Sequence, residues 1–186
     1  MITQIGTLLV EPLFSFFIYL LLLRFYMQAF RAPFRNPIGE FVVTLTNWAV
    51  RPVRRFVPGV RGIDLSTLVL AWLFEAAKLW LLFSLRAAML AMAPGPLITV
   101  AVVELLRDSL YLLIGVIFIQ VILSWVSPYN AVEGVLSALT RPFYRLFQRF
   151  IPPIGNIDLT PLVVLILAQV ALILVAGLEQ AVLRLF

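Results

Sequence analysis

The chain has 186 residues, 63% of them hydrophobic, with a mean hydropathy of +1.07 and a net charge of +5. A soluble domain of this length leaves much of its surface wet, so the composition excludes a purely aqueous globule and makes the bilayer one of its solvents. With no histidine and no cysteine, the chain also lacks the commonest general base, a thiol nucleophile and most transition-metal ligands, and it can form no disulfide.

In chain order, the first apolar stretch runs over about residues 8–30. No basic residue precedes it, and its apolar core ends at Arg24 rather than at a small-residue cleavage site. It therefore reads as a retained membrane span carrying Arg24 and Gln28, not as a secretory signal. Further apolar stretches at about 65–92, 109–126 and 161–183 bring the spans to four. Each is long enough to cross about 30 Å of hydrocarbon at about 1.5 Å per residue.

Between the first two spans, Phe41, Val42, Leu45, Trp48, Ala49, Val53 and Phe56 alternate with Thr44, Asn47, Arg51 and Arg54. This three-to-four-residue recurrence predicts an amphipathic helix over about 37–57, lying in the headgroup plane or dipping between the spans as a short re-entrant helix. Pro52 is expected to kink or interrupt it. The turn Pro58-Gly59-Val60-Arg61-Gly62 follows, and then Asp64 stands just before the second span. As an N-cap, with Ser66 sharing the task, that carboxylate satisfies free backbone N–H groups and complements the helix dipole. The alternative is that Asp64 and its counterpart Asp158 line a vestibule that attracts cations.

In the second span, Glu75 and Lys78 share one face, three residues apart, with Arg86 nearer the far end. A charge at mid-bilayer costs about 2.5–3.5 kcal/mol on insertion scales, so each needs a partner, a watery cavity or a functional reason. Glu75 is expected to pair with Lys78 along the helix or with Arg24 across it, unless it belongs to an ion path. Pro94-Gly95-Pro96 reads as a turn, and Glu104, Arg107 and Asp108 as a solvated cluster at the entrance of the third span. Gln120 and Ser124 follow within that span. A second amphipathic helix is predicted over about 131–151, with Arg141, Arg145 and Arg149 repeating every four residues beside an apolar row from Val132 to Phe150. Pro142 is expected to interrupt it as Pro52 does the first.

These elements are two copies of one unit. Leu45-Thr46 through Ile63-Asp64-Leu65-Ser66 reappears without a gap as Leu139-Thr140 through Ile157-Asp158-Leu159-Thr160, at a constant shift of 94 residues. The units are placed at 1–93 and 97–186, one integral membrane domain in all, each expected to need the other to bury its apolar faces. Two spans per unit give both the same orientation and an axis along the membrane normal. Gln169 then occupies the position of Glu75; Gln120 and Gln169 are expected to make interhelical hydrogen bonds, the alternative being that Gln169 and Glu75 face each other at the unit interface. The arginines concentrate at Arg31, Arg35, Arg51, Arg54, Arg55 and Arg61 and at Arg141, Arg145 and Arg149, whereas the Pro-Gly-Pro segment has none. The positive-inside rule therefore places both amphipathic segments at the cytoplasmic side and both termini opposite.

Thr46, Arg51-Pro52, Arg54-Arg55 and Pro58, with Thr140, Pro142, Arg145, Arg149 and Pro152 and the two Ile-Asp-Leu-Ser/Thr runs, resemble the YggT family of bacterial membrane proteins and its plastid YlmG-like relatives. Leu23 to Gln28 and Ser124 to Ser127 are similar to that family at the matching places. Trp48 and Leu146 stand where the pattern has prolines, Gln148 where it has an arginine, and Asn156 where glycine is usual. The resemblance implies an all-α bacterial inner-membrane protein. Its relatives are associated loosely with osmotic and cation homeostasis, with cell division and envelope organisation, and in plastids with cofactor assembly.

The expected function is therefore non-enzymatic and without a cofactor: an adaptor or assembly factor in envelope or osmotic homeostasis. Arg51, Arg54, Arg55, Arg141, Arg145 and Arg149 would meet anionic lipid headgroups or an acidic partner. Nucleic acid is not needed to explain the charge. A homo-oligomer or larger membrane complex is compatible with four short spans. The alternative is a cation channel or transport-related protein using Asp64, Asp158, Glu75, Lys78, Gln169, Arg24 and Gln28.

Overall fold

A computed structural model describes residues 2–57, 59, 63–86, 94–127, 131–150 and 158–185. Six helices account for most of them: α1 (Ile2–Ala29), α2 (Pro37–Val53), α3 (Leu65–Arg86), α4 (Pro94–Val126), α5 (Glu133–Gln148) and α6 (Thr160–Leu185). The order is long, short, long, given twice. Four of the helices, α1, α3, α4 and α6, are long and apolar enough to cross a membrane, which makes this an all-α, multi-pass membrane protein.

Local chemistry sets the ends of the helices. At the end of α1, Ala32 N–H donates to Met27 C=O (2.7 Å) and Arg31 N–H to Gln28 C=O (3.2 Å), with Arg31 in the left-handed region at φ 55. This is a Schellman closure made with arginine where glycine is usual. Asn36, extended at φ −161, caps α2: its side-chain oxygen accepts from Gly39 N–H at 2.9 Å, and Pro37 fills the first helical position. Gly39 has no alternative, because a Cβ there would lie 2.3 Å from the Phe34 carbonyl oxygen. Asn130, the counterpart of Asn36, and both turns ahead of the aspartates, apart from Gly59, lie outside the described residues.

Two expectations from the sequence need correction. The third span does not begin near residue 109: α4 starts at Pro94 and runs for 33 residues. Pro94-Gly95-Pro96 is its first turn rather than a link between units, because the leading N–H groups of a helix have no partner and proline gives up nothing there. Pro142 lies inside α5, which continues to Gln148, whereas α2 does end one residue after Pro52. The segment 87–92 at the end of the predicted second span lies outside the described residues.

Within each half, the two long helices pack along each other, α1 on α3 and α4 on α6, and the short helix sits against both. The halves meet where α4 packs on α3 and α1, and where α5 touches α1. One apolar cluster joins Ile18, Leu21 and Leu22 of α1, Ala49 and Val50 of α2, Leu70 and Ala71 of α3, and Leu105 of α4. A second joins Met27 and Ala32 to Val116 of α4 and to Val135, Leu136 and Leu139 of α5. Many large apolar side chains remain exposed on the long helices, among them Leu8, Leu9, Leu13, Ile173 and Leu174. Hydrocarbon, not water, is the medium in which that surface is stable.

Candidate functional site

Both short helices bury one side against their own pair of long helices. Val42, Thr46, Ala49 and Val50 are buried on α2, and Val135, Leu136, Leu139, Thr140 and Tyr144 on α5. The arginines point elsewhere. Arg51, Arg54 and Arg55, and Arg141, Arg145 and Arg149, are all exposed, beside exposed Trp48, Phe56, Leu146 and Phe150. Arginines next to outward-facing aromatic and aliphatic groups are what an interfacial helix presents to headgroups.

A polar contact at equivalent places ties each short helix to the long helix before it. Arg24, 6% exposed, donates to Thr46 Oγ1 at 2.6 Å and to Asn47 Oδ1 at 3.0 Å. In the second half, Thr140 Oγ1 donates to Gln120 Oε1 at 2.8 Å, and Tyr144 OH to the same oxygen at 3.2 Å. Thr46 and Thr140 are related by the 94-residue shift. Arg24 is thus occupied with α2 rather than with Glu75; Gln28, one turn on, is half-buried.

Asp64 and Asp158 cap the next long helix in each half. Asp64 is buried; its Oδ1 accepts from Ser66 N–H at 3.2 Å and from the Ser66 hydroxyl, and its Oδ2 from Arg54. Asp158 is exposed; Oδ1 accepts from Thr160 N–H at 2.8 Å and Oδ2 from Gln148 at 3.3 Å. Gln148 stands where the first half has Arg54, so the same latch is ionic in one copy and neutral in the other. Burial pushes the Asp64 carboxyl up, but the hydrogen bonds from Arg54 and Ser66 outweigh it and hold the group below its ordinary range. Asp158 is also held low: its smaller burial is outweighed by the Thr160 and Gln148 hydrogen bonds.

The densest charge lies between the long helices. Glu75 is wholly buried and Lys78, Asp108 and Glu104 nearly so. Lys78 Nζ is 2.9 Å from Glu75 Oε2 and 3.9 Å from Asp108 Oδ2. Tyr19 OH of α1 donates to Asp108 Oδ1 at 3.1 Å. Beside this group, Arg107 donates to Glu179 of α6 at 2.9 Å and to Glu104 one turn back. Four carboxyls thus surround two cations. Neither Glu75 oxygen accepts a hydrogen bond, and neither does Asp108 Oδ2. The Lys78–Glu75 approach is close, but it is poorly aligned.

Glu75 and Lys78 do pair along the helix, as their spacing predicts. Gln169 does not join them: it is exposed on α6, while Glu75 faces α4. Tyr19 and Glu179 are members that sequence reasoning missed, and Glu104, Arg107 and Asp108, expected as a solvated cluster, are packed between the long helices instead, with Glu104 and Asp108 buried. The signal for the last three is that they share one helical face; a span beginning near 109 leaves that face at its entrance, whereas α4 carries it well inside. Among the described residues no group of three His, Cys, Asp or Glu side chains is arranged to hold a metal.

The helices and their buried charges define a multi-pass membrane protein of two similar halves. The family model described as CCB3/YggT matches the chain over residues 3–85 and again over 99–178, and the chain belongs to that family. It is 34% identical to an uncharacterized protein in the proC 3' region of Vibrio alginolyticus, over 88% of this chain and 89% of that one. It is 32% identical to the uncharacterized protein YggT of Escherichia coli K12, over 94% of this chain and 91% of the relative. No solved structure matches the chain.

Proposed function

We propose that the protein is a non-enzymatic component of the bacterial inner membrane, an adaptor or assembly factor in envelope or osmotic homeostasis that presents two arginine-bearing helices to the cytoplasmic leaflet. The observation that supports this reading is the division of labour on α2 and α5. Their apolar sides are consumed by packing on the long helices, while the arginines at 51, 55, 141, 145 and 149 remain exposed, as does Arg54, although it is also tied to Asp64. Each basic residue near an anionic leaflet contributes about 1 kcal/mol of attraction. The positive-inside rule sets the orientation.

Cation permeation past Asp64, Asp158 and Glu75 has less behind it. Both aspartates serve as helix caps, and Asp64 and Glu75 lie about 16 Å apart along α3 at 1.5 Å per residue.

The full-length protein, delipidated and then exposed to mixed phosphatidylglycerol and phosphatidylcholine, tests the proposal by native mass spectrometry of the lipids retained. Wild type is expected to retain phosphatidylglycerol selectively, in a salt-dependent way. Arg51→Glu/Arg55→Glu/Arg145→Glu/Arg149→Glu is expected to abolish the selectivity. Equal retention of both lipids by wild type would sink the lipid-facing role.

A further inference from the structure

The charge between the long helices does not balance. Lys78 sits between Glu75 and Asp108, with Nζ at 2.9 Å from one carboxyl and 3.9 Å from the other. Two ionised carboxylates against one ammonium leave a full negative charge where Glu75 is 0% and Asp108 8% exposed. The neighbouring set repeats the imbalance, with Arg107 between Glu104 and Glu179. The other groups turned toward Glu75 do not correct it. From α1 comes Tyr19, whose hydroxyl is spent on Asp108; from α4 come Glu104, Arg107 and Asp108; from α6 comes Glu179, through Arg107. Arg51 of α2 and Arg54 and Arg55 just after it are exposed, and Arg54 is spent on Asp64. An uncompensated charge in this setting is neutralised rather than tolerated.

The atoms without partners show where. Glu75 Oε1 is fully buried and accepts nothing, and Asp108 Oδ2 is buried with no hydrogen bond. Glu75 Oε2, also without a hydrogen bond, and Asp108 Oδ2 lie 2.9 Å and 3.9 Å from Lys78 Nζ. We propose that Glu75 and Asp108, with Lys78 between them, bind one exchangeable proton at the boundary between the two halves, inside the membrane span. The proton comes from water, forms one O–H bond on a free carboxyl oxygen, and returns to water on release. Binding leaves Lys78 matched to a single carboxylate and the set neutral. A metal cation fits worse, because it would sit against the ammonium and because no three-ligand set is present among the described residues. This inference stands apart from the lipid-facing role of α2 and α5, and either can fail without the other.

Difference infrared spectroscopy on the full-length protein in lipid nanodiscs, titrated in choline chloride, tests it directly. The wild type is expected to show the carbonyl stretch of a protonated carboxyl at neutral pH, bleaching as pH rises. Glu75→Gln and Asp108→Asn are each expected to remove it, while Asp158→Asn, outside the spans, leaves it in place. If either variant fails to fold, Glu104→Gln and Glu179→Gln carry the test: a band shared by Glu75 and Asp108 survives both, and its loss in either overturns the proposal. Absence of the band in wild type overturns the proposal. So does a band that survives Glu75→Gln and Asp108→Asn, which belongs to Glu104 or Glu179. A band suppressed when potassium or sodium replaces choline overturns it in favour of a metal-cation site.

Discussion

The buried polar contacts between the short and long helices place unequal demands on two similar threonines. Thr46 accepts from the guanidinium of Arg24, which is 6% exposed, whereas Thr140 serves the neutral Gln120. Removing a hydrogen-bond partner from a buried group costs about 1–3 kcal/mol, and more where the group is charged. Thr46→Val is therefore expected to lower stability in detergent by more than Thr140→Val, and chemical unfolding of both variants checks the order. The aspartate caps differ in the same sense. Asp64 is buried and paired with Arg54, while Asp158 is exposed and paired with Gln148. Asp64→Asn is expected to destabilise more than Asp158→Asn. The Asp64 carboxyl is held below its ordinary value in the folded chain, so its contribution is present above the unfolded value of about 3.9 and is lost as pH falls through the folded one. Unfolding midpoints of wild type and Asp64→Asn should therefore converge on acidification; a constant gap would refute the linkage.

At the level of helices, much was legible and the errors have definite causes. The alternation of Phe41 to Phe56 with polar residues located α2, and the four-residue arginine spacing located α5, because burial on one side leaves a periodic trace in composition. The start of α4 was misread because Pro-Gly-Pro marks turns and is also tolerated in a first helical turn; only the chain around it decides which. A start near 109 leaves Asp108 at the entrance of the span, whereas α4 holds it inside. Gln169 was misassigned for another reason. The 94-residue shift repeats residue types but not their surroundings: α3 has α4 beside its polar face, whereas Gln169 on α6 is exposed. Tyr19 and Glu179 carry no local mark of their partnership, since each meets α4 only through the tertiary packing.

For the whole molecule, the cysteine-free sequence makes orientation directly measurable. Arg149→Cys is expected to react with a membrane-impermeant maleimide only from the cytoplasmic side of inverted vesicles. Gly95→Cys, where an added Cβ meets nothing within 4 Å, is expected to react only from the other side of intact cells. The reverse pattern would invert the topology and put the arginine-bearing helices on the outer leaflet.

The length of α4 has a mechanical corollary. Its 33 residues measure about 50 Å at 1.5 Å per residue, against a hydrocarbon layer of about 30 Å. A helix of that length exceeds the hydrocarbon it crosses, so either tilt or extension of its ends into the headgroup region takes up the difference, and α3, α5 and α6 packed against it share that adjustment. Its setting in the bilayer is fixed by packing on those neighbours and by aromatic and basic anchors at the interfaces. Because α4 also carries the packing between the two halves, whatever fixes this one helix in the bilayer fixes the seam as well.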